Sequence, residues 1–373
     1  METIQLLKKI APNNAPILNE KEVILKKYFC DNIDIQSINY LTKITYISDT
    51  FPYGKKNYSI NIFCVFESIN NIFYLIFAHY SSIMIYNIID NKKVNQILNA
   101  HDKLINSFQH HLGYINNRDL VITISLDDYN LKIWDINKLE CLFNHKDEKD
   151  NGIIAACLFI DSKQNYFAMG YYNKNDTKKN IKIYDLKGNE NKELKNSNDN
   201  VYYIDVYYDK KNLINYIIEG SDNFVKSFDY EQNKLYHKYS DNSCQIRNCM
   251  IINDTEEIIK LLESGQQYLR IWNFHTGELL KKIKFIGTIN CFCLWKNNYV
   301  FINEYFESNQ IFEDKDLILI DTNKDIIIKS LPRRNEIIKS IKKIYIPKYG
   351  ELLVTQGQMN DRIKFWLIKE NEK

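Results

Sequence analysis

Residues 131–136 read LKIWDI. Leu131 and Ile133 alternate with Lys132, Trp134 follows, and Asp135 stands where a chain prepares to turn, so the stretch predicts a half-buried β-strand that ends in a turn. The pattern recurs down the chain as SIMIYNI ending at Ile88, IKIYDL at Leu186, VKSFDY at Tyr230, LRIWNF at Phe274 and IKFWLI at Ile368, with a degenerate copy, LILIDT, ending at Thr322. The marker positions Tyr86, Trp134, Tyr184, Phe228, Trp272, Ile320 and Trp366 are separated by 48, 50, 44, 44, 48 and 46 residues. Between them lie short alternating apolar runs separated by Asn, Asp, Gly and Lys, with no helix-period apolar face.

A period in the mid-forties fits one four-stranded antiparallel unit, because four strands of five or six residues with their turns need roughly 40 to 45 residues. Seven such units in phase predict an all-β chain folded as a seven-bladed β-propeller. With each marker on a third strand, the first blade has strands near 60–66, 72–78, 82–88 and 93–98. The seventh then lacks an outer strand, because its third strand ends five residues before the C-terminus. The unassigned run 38–48, INYLTKITYIS, is expected to supply that strand and close the ring. The domain reading is therefore an extension over 1–37 and a propeller over 38–373. ETIQLLKKI and EKEVILKKYF within the extension have the spacing of two short amphipathic helices.

On these residues the chain resembles the WD-repeat (Trp-Asp repeat, G-protein beta-subunit-like) propellers over about 38–368. Ala100-His101-Asp102, followed 33 residues after His101 by Trp134-Asp135, is similar to the family's Gly-His to Trp-Asp frame, and Trp272-Asn273 followed by HTGELLKKI is similar to its turn and outer strand. The resemblance implies a structural hydrogen-bond chain through Trp134, His101 and Asp128, with a hydroxyl between Trp and His. The family's hydroxyl position falls on Leu126, with Ser125 one residue out of register. Asp222 matches the turn Asp of the fourth repeat, where Phe228 replaces the Trp.

Composition narrows the function. The 373 residues are 45% apolar and 13% aromatic, ample for a folded core. Lys and Arg number 49 against 47 Asp and Glu, so no global field draws the chain to nucleic acid or an anionic membrane. METIQLLKKIAPNNAP carries neither a secretory nor a lipidation pattern, so the cytosol is the expected compartment, with the nucleus as the alternative. Residues 68–89 are uncharged and long enough to span a bilayer. Asn70, Asn71, His79, Ser81, Ser82 and Asn87 interrupt them, and HYSS reads as a hairpin turn, so no membrane is expected. Eight cysteines without a CxxC pair read as reduced core thiols, with Cys291 and Cys293 on one strand face.

Little in the chain suggests chemistry. No GxGxxG or GxxxxGK occurs, so no cofactor and no small-molecule substrate is expected. His110 and His111 would point to opposite faces of a strand, which disfavours a shared metal. Asp127-Asp128 and Asp314-Asp316 read as turn formers. The expectation is a non-catalytic protein–protein interaction scaffold or adaptor subunit of a larger complex. The alternative is a propeller subunit of an RNA-processing ribonucleoprotein particle, for which the basic stretch 333–348 (Arg333, Arg334, Lys339, Lys342, Lys343, Lys348) would contact phosphate. Protein partners are expected on the face that carries the links between blades. There the sixth-blade loop offers Tyr305, Phe306, Ile311 and Phe312 among Glu307, Glu313, Asp314 and Asp316.

Overall fold

The computed structural model describes residues 22–24, 26–27, 33–37, 62–113, 118–146, 152–161, 164–172, 181–194, 197, 199–240, 245–246, 248–253, 258–296, 298–305, 317–331, 338–357 and 363–370. They form seven antiparallel sheets in chain order: blade 1 (63–97), blade 2 (107–146), blade 3 (152–194), blade 4 (203–239), blade 5 (248–284), blade 6 (288–331) and blade 7 (338–370). Every marker lies on the third strand of its blade, and the degenerate sixth repeat builds a complete one. The uncharged stretch 68–89 is a β-hairpin, Phe73–His79 with Ser82–Asn87. No helix among the described residues is long and apolar enough to cross a membrane.

The residue after each marker explains the motif. Asn87, Asp135, Asp185, Asn273 and Asp321 each use Oδ1 to accept two backbone N–H groups of the following turn, and Asp229 accepts one, from Gln232. A short side chain that accepts backbone bonds two and three residues on is what such a turn requires. The turns then pass through one left-handed residue each: Asn91, Leu139, Gly188, Asn233, Gly277 and Asp325, with φ between 48° and 88°. Asn, Asp and Gly suit that region and Leu139 does not. Just before the marker of blades 1 to 6 the third and fourth strands slip by one residue, leaving Val94, Leu142, Asn191, Tyr236, Leu280 and Ile328 as the extra residue of the fourth strand. A bulge at this same place in six blades adds twist to the outer strand.

The core lies between blades. Seven apolar clusters each join two neighbours, and one packs Phe63, Phe73, Leu75 and Phe77 of blade 1 against Ile344, Leu352, Val354 and Phe365 of blade 7, so the ring is closed. Sheets that bury both faces against neighbours read as near-continuous apolar second and third strands, such as Asp119–Ser125 in DLVITIS and Leu317–Asp321 in LILID.

The closure differs from the sequence expectation. The fourth strand of blade 7 is Ile33–Ser37, antiparallel to Ile363–Glu370 with Ser37 opposite Trp366, upstream of the expected 38–48, which lie outside the described residues. The expected helix over EKEVILKKYF is corrected likewise. Glu22–Ile24 run parallel to Lys282–Lys284 at the rim of blade 5, and Lys26–Lys27 parallel to Ile326–Ile327 at the rim of blade 6. An outer strand leaves a row of N–H and C=O groups unpaired, and an upstream segment that supplies partners to three successive rims satisfies more of them as strand than as isolated helix. ETIQLLKKI lies outside the described residues.

Candidate functional site

Two parts of the ring concentrate polar side chains. The first is the pin of blade 2. His101 follows the link from blade 1, and its Nδ1 lies 3.2 Å from Asp128 Oδ2 in the second–third turn. Its Nε2 lies 2.8 Å from Thr123 Oγ1, to which Trp134 Nε1 donates at 2.9 Å. Asp128 Oδ2 also accepts the Asp102 N–H at 3.0 Å. Burial, opposed by Asp128, holds the His101 imidazole below its ordinary pKa, hence neutral. Nδ1–H then donates to Asp128, and Nε2 accepts the Thr123 hydroxyl proton.

The hydroxyl is Thr123, a correction to Leu126 and Ser125. Asn130 pairs with Ser125 and Lys132 with Thr123, so the hydroxyl that reaches the Trp134 ring sits two residues deeper in the strand than Ser125. Ser125 Oγ is buried with no hydrogen-bond partner among the described residues.

The position occupied by Thr123 varies around the ring. Blade 7 repeats it, with Trp366 Nε1 donating to Thr355 Oγ1 at 3.0 Å. Blades 4 and 5 replace the hydroxyl by a buried acid paired with the cation opposite. Glu219 lies 3.6 Å from Lys226, and Glu263 lies 3.2 Å from Arg270. Asp222 accepts Asn200 Nδ2 and the Tyr202 hydroxyl, both at 3.0 Å, so it ties the third-to-fourth link without a histidine.

The second part lies on the opposite face. Links and second–third turns share one face of the ring, and first–second and third–fourth turns share the other, here called the hairpin face. A cavity of about 740 Å³ opens there between the first strands of blades 2, 3 and 4. Gln109, His110 and His111 line it from blade 2, Leu158, Phe159, Ile160 and Asp161 from blade 3, and Asp205, Val206, Tyr208, Leu213 and Asn215 from blade 4. Burial, reinforced by the neighbouring His110, pushes the His111 imidazole down to about 4. Burial raises the Asp205 carboxyl, against the Val206 N–H at 2.8 Å, the Tyr203 hydroxyl at 2.9 Å and the field of Lys342. Gln109 Oε1 and His111 Nε2 are buried with no hydrogen-bond partner among the described residues.

His110 is turned away to a neighbouring network. It stacks on Phe66 with ring centroids 3.5 Å apart, and its Nε2 lies 3.2 Å from Asp119 Oδ1. Burial alone would raise the Asp119 carboxyl. The bonds from His110, Ser68 Oγ at 2.6 Å, Asn137 Nδ2 at 3.1 Å and the Ile69 N–H outweigh it and hold that pKa below the ordinary value. This cluster pins blade 1 to blade 2.

Two exposed apolar side chains stand at the cavity and others lie on further turns of the same face. Leu213 (69% exposed) and Tyr208 (46%) stand at its lip, and Tyr345 (60%), Ile69, Ile89 and Ile258 mark other hairpin-face turns. The link face carries Tyr80, Leu98 and Ile286. Of the expected partner-binding residues, Tyr305 ends a strand of blade 6, while Phe306, Ile311 and Phe312 lie outside the described residues. In the basic stretch, Lys343 donates to the Trp295 carbonyl and lies 3.6 Å from Glu351, and Lys348 covers the Tyr349 ring. Arg333 and Arg334 lie outside the described residues. Cys64, Cys157, Cys249, Cys291 and Cys293 are buried free thiols and Cys141 is exposed. Burial, opposed by Lys342 and Lys343, pushes the Cys293 thiol up to about 11.

The sequence reading missed the cavity, whose walls come from three segments about 50 residues apart. Two local signals were available: Leu213 is an apolar residue in the polar turn DKKNL, and adjacent tyrosines at 207 and 208 on one strand cannot both face the core. The seven-bladed β-propeller is thus the class of protein that the fold defines. No family model matches the chain, and no curated protein matches its sequence.

Proposed function

We propose that this protein is a divergent member of the WD-repeat family that acts as a non-catalytic protein–protein interaction scaffold, with partners seated on the hairpin face. The observation that carries the reading is the group of exposed apolar side chains on this face, Tyr208 and Leu213 foremost at the lip of a polar-walled cavity. Contiguous apolar exposure rimmed by polar groups is how a folded domain presents a binding surface. The family assignment rests on the Trp134–Thr123–His101–Asp128 chain, together with the six Asp or Asn residues that cap the third–fourth turns. Thr123, His101 and Asp128 also have the order of a nucleophile, base and orienting acid. Thr123 and Asp128 are enclosed, His101 is 1% exposed, and the hydroxyl already serves Trp134, so the group pins the blade and offers no approach to a substrate.

The test is affinity purification from the native cell. Leu213→Asp with Tyr208→Ala is expected to lose at least one partner that the parent protein recovers, at an unchanged melting temperature. Recovery of every partner by the double variant would overturn the reading.

A further inference from the structure

The cavity wall is one-sided in charge. Among the described residues it is lined by the acids Asp161 and Asp205 and by His111, with the His110 ring turned to Asp119, and by no lysine or arginine. Lys342, on the first strand of blade 7, acts on Asp205 through its field without lining the cavity. His111 is neutral at physiological pH, because its pKa is pushed down to about 4, so the local charge is set by the acids. Among the described residues Gln109 Oε1 is an acceptor without a donor and His111 Nε2 a ring nitrogen without a partner, both buried in the same wall. A buried acceptor left unpaired costs free energy that an incoming donor recovers. Leu158, Phe159, Ile160 and Val206 supply the apolar remainder, and Tyr208 and Leu213 stand exposed at the lip.

These features select the ligand. An anion meets two carboxyl groups, and an apolar group leaves Gln109 Oε1 unpaired. A cation with several N–H donors meets the charge of Asp161 and Asp205 and can donate to Gln109 Oε1 and His111 Nε2. A space of about 740 Å³ is larger than one ammonium or guanidinium head needs, and it admits a long side chain with the backbone on either side. Residues flanking the cation would then cover Tyr208 and Leu213, which requires apolar neighbours. We infer that the cavity receives a lysine or arginine side chain of a partner protein, presented on a short segment with apolar residues beside it. The inference rests on the scaffold reading and adds to it the chemistry of the segment that is bound.

The experiment takes the full chain and selects binders from a random heptapeptide display library, then measures the selected peptides in solution by fluorescence polarisation. The selected peptides are expected to share a Lys or Arg next to an apolar residue. Replacing that residue in the peptide by norleucine, or replacing Asp205→Asn or Asp161→Asn in the protein, is expected to weaken binding about tenfold or more. Leu213→Ser should weaken it several-fold, and a melting scan of each variant shows that the fold is retained. Asp161 is the second variant should Asp205→Asn fail to fold. Selection of peptides without a basic residue, no selection at all, or basic peptides that bind both Asn variants as tightly as the parent would overturn the inference. Failure here together with loss of cellular partners by the Leu213 and Tyr208 variant would leave the scaffold reading standing and remove only the cation.

Discussion

Thr123→Val tests the pin of blade 2 most closely, because valine keeps the shape of threonine and removes only the hydroxyl. Two buried groups lose their partner: the Trp134 indole N–H at 2.9 Å and the acceptor nitrogen of His101 at 2.8 Å. Each orphaned buried group costs about 1–3 kcal/mol, so the expected loss for the two is about 2–6 kcal/mol. An unfolding entropy of about 2.1 cal/mol/K per residue gives roughly 0.8 kcal/mol/K over 373 residues, so the midpoint should fall by about 3–8 °C. Ser125→Ala is the matched control. Ser125 Oγ is buried without a partner among the described residues, so its removal should be neutral or slightly stabilising. Urea denaturation with the two variants side by side, together with a double-mutant cycle against Trp134→Phe, reads the coupling directly. A Thr123→Val protein as stable as the parent, or a Ser125→Ala protein that loses more, would refute the assignment of the hydroxyl.

Truncation separates the two candidates for ring closure: removal of residues 1–32 loses only the short rim strands at 22–24 and 26–27 and keeps Ile33–Ser37, so it should cost little, whereas removal of 1–37 also exposes the edge of blade 7 and should cost several kcal/mol more. Equal melting of both truncations would contradict the observed closure. Glu219 gives a pH signature of defined sign. Burial, opposed by Lys226, raises its carboxyl from 4.5 to about 7, so its contribution to stability is full below about 4.5 and is lost as pH rises through about 7. Glu219→Gln has no such proton, and Lys226 keeps Asp199 at 3.0 Å, so the variant should gain on the parent across that window by up to about 3 kcal/mol. Parallel stability curves from pH 4.5 to 8 would show that Glu219 does not titrate in the folded state.

The repeat was legible because one local device recurs. An aromatic followed by Asp or Asn marks a third strand that must turn at once into a fourth, and the cap bonds of Asp135, Asp185 and Asp321 show why the acid is needed. The same logic accounts for the exception. In blade 7 Leu367 follows Trp366, and no third–fourth turn exists there because the fourth strand comes from Ile33–Ser37. The hydroxyl was misplaced because counting from the turn cannot reveal that Asn130 pairs with Ser125. The rim strands at 22–24 and 26–27 are too short to carry a period, so the charged, apolar-spaced EKEVILKKYF imitated a helix. Beyond Leu213 and the adjacent Tyr207 and Tyr208 the cavity left no local trace, since residues 109–111, 158–161 and 205–208 meet only after the ring has formed. The hairpin face was passed over because loop length, the cue used for the link face, carries no information about which short turns expose Leu213 or Tyr345.

Whether partners sit on the hairpin face is read by hydrogen exchange on the protein with and without a co-purified partner. The expected result is slowed exchange at the turns around Ile69, Tyr208 to Leu213 and Tyr345 to Tyr349, with no change around Tyr80, Leu98 and Ile286. Protection confined to those three link-face positions and to the loops at 173–180 and 306–316 would contradict it.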